Sequence, residues 1–202
     1  MRARLLLILS LFPSGFLWAQ DFHFSQFMQN MLYVNPAYAA LPASGELGLV
    51  YRNQWPGIPA TFVTYGASAV LPVTGIHSGI GVNVMNDIQG SGVITRTAAT
   101  FQYAYLLDVG RSWQVSGGIS GSYVFKRFDG NELLFRSDIL NDLGYSYPTV
   151  TYENYNRNYP DFSAGIIARN KENLSFGFSV SHLTRPAESL STQVSERLPM
   201  RY

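Results

Sequence analysis

The chain has 202 residues, a formal charge of +1 and no cysteine, with 13% charged and 14% aromatic residues. That charged fraction is well below the ~25% of a soluble domain. These figures exclude a disulfide-stapled secreted domain, a cysteine enzyme and a cysteine-ligated metal centre, and they give no argument for nucleic acid as a partner.

Met1-Arg2-Ala3-Arg4 precedes an apolar stretch, Leu5 to Trp18, broken only by Ser10, Pro13, Ser14 and Gly15, and Ala19-Gln20 follows. A basic head, a short apolar core and a small residue predict a cleavable signal peptide over 1–19. A spanning helix would need about 20 uninterrupted apolar residues. Loss of Arg2 and Arg4 would take the formal charge from +1 to −1, close to neutral.

Residues 20–43 have few strand features but carry Phe22, Phe24, Phe27, Leu32 and Tyr33. Exposing so many aromatics is unfavourable, so this segment is expected to dock as a periplasmic or lumen-packing piece. Asn35-Pro36-Ala37 is a turn signal: proline fixes φ and asparagine can bond its own backbone.

From 44 to 202 the chain reads as one β-barrel domain. Strands are predicted at 45–53, 61–71, 76–87, 92–107, 112–126, 161–169 and 173–183, with an eighth beginning near Leu198. In the second, Val63, Tyr65, Ala67, Ala69 and Leu71 share one face, and Thr64, Gly66 and Ser68 the other. In the fifth, Trp113, Val115, Ile119, Tyr123 and Phe125 oppose Gln114, Ser116, Ser120, Ser122 and Lys126. Successive strand side chains point to opposite faces, so each row is one surface.

Glu46, Arg52, Arg96, Lys126, Asp161 and Arg169 all lie on the polar row of their strand. That row is otherwise mostly Ser, Thr, Gly, Asn and Gln, which suits a crowded lumen better than the water-facing side of a soluble sandwich. The predicted fold class is therefore all-β, an antiparallel transmembrane outer-membrane β-barrel. Short connections at 72–75, 108–111 and 170–173 alternate with longer ones at 54–60, 87–91, 127–160 and 184–197. This matches short periplasmic turns and longer external loops. The 127–160 loop carries Asp129, Glu132, Arg136, Asp138, Asp142 and Glu153, and reads as a solvated cap or partner-binding loop. The eighth strand holds about five residues, short of the ~9–11 needed to span. The chain is thus expected to be the N-terminal half of a truncated barrel of seven to eight strands.

Five blocks carry a family resemblance: Gln20-Asp21-Phe22-His23-Phe24-Ser25-Gln26-Phe27, Leu32-Tyr33-Val34-Asn35-Pro36-Ala37-Tyr38-Ala39, Tyr51-Arg52-Asn53-Gln54-Trp55-Pro56-Gly57-Ile58, Thr64-Tyr65-Gly66-Ala67-Ser68 and Gly81-Val82-Asn83-Val84-Met85-Asn86-Asp87. In this order and spacing they resemble the PorP/SprF-type membrane proteins of the type IX secretion system of Bacteroidota. The resemblance covers about 20–130 well and continues more loosely beyond. Ala40-Leu41 stands where the family has a glycine, and family members are longer chains forming larger barrels. The resemblance implies an integral outer-membrane component that helps export or anchor cargo at the cell surface, including adhesins used in gliding. Implied partners are cargo with a C-terminal secretion domain and periplasmic and outer-membrane components of the machinery, alongside outer-membrane lipids.

Candidate partner or lumen contacts are Asn35 and Pro36 in the leader and Arg52, Asn53, Gln54 and Trp55 at the outer end of the first strand. Arg52 is expected to pair with a lumen carboxylate, and Trp55 and Trp113 to be interfacial aromatics. His77 is read as inward on the third strand and His182 as lying on the apolar row of the seventh. No histidine has metal-ligand spacing, and neither a nucleophile elbow nor a phosphate-binding glycine loop is present. No cofactor, metal or catalytic residue is expected. Two further readings stay open. A general porin would show a charged constriction and strong conductance. A lipid enzyme would depend on His77 or His182.

Overall fold

The computed structural model describes residues 30–57, 61–130, 139, 142–145, 154–170, 174–188 and 197–202. The expected signal peptide, the leader aromatics Phe22, Phe24 and Phe27, and Glu132, Arg136, Asp138 and Glu153 of the long loop lie outside them. A short helix α1 (Met31–Val34) and a 3-10 helix (Pro36–Ala40) precede seven strands. The strands are β1 (Glu46–Gln54), β2 (Phe62–Val73), β3 (Ser78–Gln89), β4 (Ile94–Val109), β5 (Trp113–Phe128), β6 (Tyr155–Asn170) and β7 (Ser175–Val180). They pair antiparallel in sequence order, as a half-barrel.

Burial along the strands is inverted relative to a soluble protein. Leu47 and Leu49 are 89% and 88% exposed, whereas Thr64, Asn83, Gln102 and Ser116 are buried. Val82, Val84, Phe101, Tyr103, Tyr105, Leu107, Ile119 and Tyr123 also face outward. Such a continuous apolar wall is untenable in water and is solvated by hydrocarbon. On β4 the apolar outward positions run from Ala99 to Val109. At ~3.4 Å per residue and a tilt of ~40° that is about 26 Å, the height of a barrel's apolar band. Above it the outward row turns polar at Thr95, Arg127 and Asn156, which the register places side by side. Among the described residues no helix is long and apolar enough to cross a membrane.

Several boundaries differ from expectation. β6 begins at Tyr155, not 161, so the long connection shrinks to 129–154. The strand tolerates Pro160 because of which way it points. Phe162 O accepts from Leu183 N on the β7 side, and strand residues two apart point the same way. The missing N–H of Pro160 therefore faces that side, where the β6–β7 ladder, Ala164 to Arg169, does not reach. β5 extends to Phe128 and makes Arg127 an outward charge, held by Asp129 at 2.6 Å above the apolar band. The β3–β4 connection is only 90–93, as short as those at the opposite end, so the loop asymmetry rests on 55–61 and 129–154.

Both histidine placements are corrected. His77 is not on β3; it caps a 3-10 turn (Thr74–Ile76) in the left-handed region and is exposed. His182 is buried rather than on the apolar row. β7 stops at Val180, and a φ of 60° at His182 breaks the period-two phase. Among the described residues the expected eighth strand appears as isolated bridges, Ser181 to Arg201 and Ala187 to Arg197.

Candidate functional site

The inward face of the sheet is occupied by residues 30–41. Register explains how the 3-10 helix comes so close. Gly79 pairs with Ala104, Ala104 with Gly118 and Gly118 with Gly165, so small residues from four strands form one lateral shelf. A Cβ on Gly118 would sit 2.5 Å from Ala37 N and 2.6 Å from Ala37 Cα. Cβ atoms on Gly79 and Gly165 would collide with Ala39 O and Asn35 Oδ1. One row higher, Gly81 makes the same allowance for Leu32.

The helix starts where it does because Asn35 caps it. Its Oδ1 accepts from Ala37 N at 2.9 Å, and Pro36 occupies the first turn, where no N–H is needed. The same side chain tethers the segment to the sheet: Asn35 Nδ2 donates to Ile166 O and Phe178 O, each at 3.2 Å. Three strand side chains donate to the segment's carbonyls. Gln102 reaches Leu32 O at 2.9 Å, Ser116 reaches Ala37 O at 2.7 Å, and Ser179 reaches Val34 O at 2.9 Å. Leu32, Ala39 and Ala40 pack with Val70 and Ala104, so a small apolar core lies between segment and wall.

Tyr38 closes one side, donating to Glu46 Oε2 at 3.1 Å. Burial first, and then the Glu46 carboxylate, push its phenol above the usual value of 10.0. On the other side Arg201 lies over the Tyr33 ring, 5.2 Å from its centre.

Beside α1 a cavity of about 50 Å³ opens in the inward wall. Asn83, Arg96, Asp161 and His182 line it, with the hydroxyls of Thr100, Ser120, Ser122 and Ser163. At about 10–15 Å³ per water position it has room for a few waters. Asp161 Oδ2 holds His182 Nδ1 at 2.8 Å, and Thr184 Oγ1 reaches Asp161 Oδ1 at 3.3 Å. The pair fixes the chain leaving β7 against β6. Among the described residues no three His, Cys, Asp or Glu side chains converge as a metal site.

The six expected contact residues fall into two groups. Asn35 and Pro36 sit on the glycine shelf. Arg52, Asn53, Gln54 and Trp55 lie at the other end of the sheet. The shelf is level with Pro72 and Arg52 with Thr64, a strand separation of about 27 Å at ~3.4 Å per residue. Arg52 and Gln54 point inward, and Arg52 Nη2 donates to Gln54 Oε1. Asn53 points outward. Trp55, in a left-handed turn, packs edge-on against Phe62 at 5.6 Å. Sequence reasoning passed over Gly79, Gly118, Gly165, Gln102, Ser116, Ser179 and the Asp161–His182 pair. The available signal was glycine recurring at inward positions of three strands.

The family model for type IX secretion system membrane protein PorP/SprF matches residues 17–202. No curated protein and no solved structure matches the chain.

Proposed function

The chain belongs to the PorP/SprF family of type IX secretion system membrane proteins, and from that premise we propose that it is an outer-membrane β-barrel component of the secretion machinery. It reaches that membrane through a cleaved signal over 1–19. There it assists export or surface anchoring of cargo, gliding adhesins among them, and works by binding protein partners rather than by catalysis. The family is one of secretion membrane proteins, not of enzymes. Cargo carrying a C-terminal secretion domain, and periplasmic and outer-membrane components of the system, are the proposed partners. Asn35 and Pro36 seat residues 20–43 as a lumen-packing unit of the 44–202 barrel domain. Arg52, Asn53, Gln54 and Trp55 face partners at the outer end.

One observation favours this reading over a solute channel. The 3-10 helix lies across the inward faces of β2 to β6, where a channel would need open water. The experiment is affinity purification of the tagged protein from detergent-solubilised outer membranes, with mass spectrometry of what accompanies it. Recovery of other secretion components or of a large surface protein is expected. A solitary barrel that conducts ions in planar bilayers would replace this reading with the channel.

A further inference from the structure

We propose that a groove in the outward wall seats one acyl chain of a surrounding membrane lipid and holds it more firmly than the lipids along the rest of the sheet. The groove has a volume of about 440 Å³ and spans β3 to β6. The strand register shows how it forms. On one outward row Val84, Ala99 and Tyr123 stand side by side. On the next stand Val82, Phe101, Gly121 and Phe162. Ala99 and Gly121 are small diagonal neighbours and make the floor. Phe101, Tyr123 and Phe162 rise around them, each about half exposed. The Tyr123 ring packs edge-on against Phe125 at 4.9 Å, on the side away from Gly121, so the floor stays open.

The groove offers carbon. The Thr100 and Ser122 hydroxyls behind the floor, on the inward side, bond each other at 2.9 Å. The outward lining is Val, Ala, Gly, Phe and Tyr. In hydrocarbon there is no hydrophobic gain in moving a chain to the wall, so van der Waals packing decides what stays. A chain lying on Ala99 and Gly121 meets carbon below it and on both sides, whereas a chain against flat wall meets it on one side.

Depth selects the occupant. The two rows are the first of the apolar band that runs from Ala99 to Val109. One row nearer the rim, Asn86 Nδ2 donates to Thr97 Oγ1 at 2.7 Å, and the row beyond holds Thr95, Arg127 and Asn156. Same-face residues lie ~6.8 Å apart along a strand, so the first methylenes of a lipid whose headgroup rests on this rim lie over the floor. A partner's transmembrane helix would need a seam about 30 Å long, and the floor spans only two rows. The site depends on the membrane-facing wall and not on the secretion reading.

The test uses the full chain, folded in detergent and titrated with palmitoyl-oleoyl phosphatidylethanolamine, with native mass spectrometry counting the lipids that stay bound. The unsubstituted protein is expected to keep one. Gly121→Phe fills the floor, and the loss of about ten carbon–carbon contacts should weaken retention about tenfold. Ala99→Phe fills it from β4 and should do the same. Gly117→Phe adds the same ring to the outward face of β5 where a Cβ meets nothing within 4 Å, and should leave retention unchanged. Phosphatidylglycerol with the same chains should be retained equally, because the groove takes the chain and not the headgroup. Unheated gel mobility shows that each variant is folded. No retained lipid, equal retention in G121F and G117F, or retention that follows the headgroup overturns the proposal. So does loss of a co-purifying protein from G121F with its lipid still in place, which gives the groove to a protein partner. Retention that G121F abolishes, without co-purifying secretion components, leaves the acyl site standing and tells against the secretion reading.

Discussion

Two adjacent glycines on β5 give the sharpest test of how the N-terminal segment is seated. Gly118 faces inward, with Ala37 N 2.5 Å from where its Cβ would be; Gly117 faces outward and a Cβ there meets nothing within 4 Å. Neither lies at positive φ, so an alanine at either is a matter of space alone. Ordinary contact needs about 3.4–4 Å, so Gly118→Ala must push the 3-10 helix away by about 1 Å, an overpacking cost of roughly 1–3 kcal/mol. Against this stand the hydrogen bonds from Gln102, Ser116 and Ser179 and the two from Asn35. At ~1 kcal/mol net each, with ~2 kcal/mol for burying Leu32, they hold the segment by about 7 kcal/mol. The holding energy is the larger, so the segment stays docked but opens more often. One decade per ~1.4 kcal/mol makes that roughly 5- to 150-fold. Hydrogen exchange of a peptide covering 30–41 reads it, because the amides of Asn35, Tyr38 and Leu41 are bonded within the segment. Exchange should accelerate by that factor in Gly118→Ala and stay at wild-type rate in Gly117→Ala, with unheated gel mobility intact in both. Equal rates in the two variants would refute the seating of the segment on the glycine shelf.

Asn35→Asp keeps the cap acceptor for Ala37 but removes both donors to Ile166 O and Phe178 O and sets a carboxylate against those carbonyls. It should loosen the same peptide by about 2–4 kcal/mol, more than Asn35→Ala. Tyr38 is neutral when docked and its phenol is held above the usual 10.0. Its contribution is therefore complete below the unfolded value and is lost as pH rises through the folded one. Difference titration at the phenolate absorbance band, wild type against Tyr38→Phe, should place Tyr38 above ordinary tyrosines; a value at or below 10 would contradict its burial against Glu46. Phe101→Lys puts a charge in the apolar outward band at about 2–4 kcal/mol. It should lower the folded, heat-modifiable fraction in membranes, whereas Thr95→Lys, above the band, should not.

The strand phases were readable because period two survives any error in strand ends. The inward rows expected for β2 and β5, and Arg96 on β4, lie on the buried rows observed. Ends were lost where the chemistry that marks a strand changes. Tyr155 to Pro160 reads as loop because its outward asparagines lie above the apolar band and its proline fails only the side of β6 that has no ladder there. His182 departs from the alternation because β7 ends at Val180 and His182 is itself left-handed, so the period-two phase no longer fixes its face. The cap chemistry of Asn35-Pro36-Ala37 was visible as a local pattern. Its receptor was not, because the shelf exists only once the register of four strands is known, and register is a non-local quantity.

The shelf gives the N-terminal segment a further role as a gauge of assembly. Asn35 bonds backbone atoms 131 and 143 residues away, while Gly79, Gly118 and Gly165 must come level for its helix to fit. A slip of one residue in β3, β5 or β6 turns a glycine outward and presents its bulkier neighbour, Ile80, Ile119 or Ile166, to the segment. Residues 30–41, which precede every strand, can therefore lock only after the wall from β2 to β7 has zipped in the correct register. Its docking reports completion of the sheet, so a misregistered wall leaves the segment undocked and open to proteases.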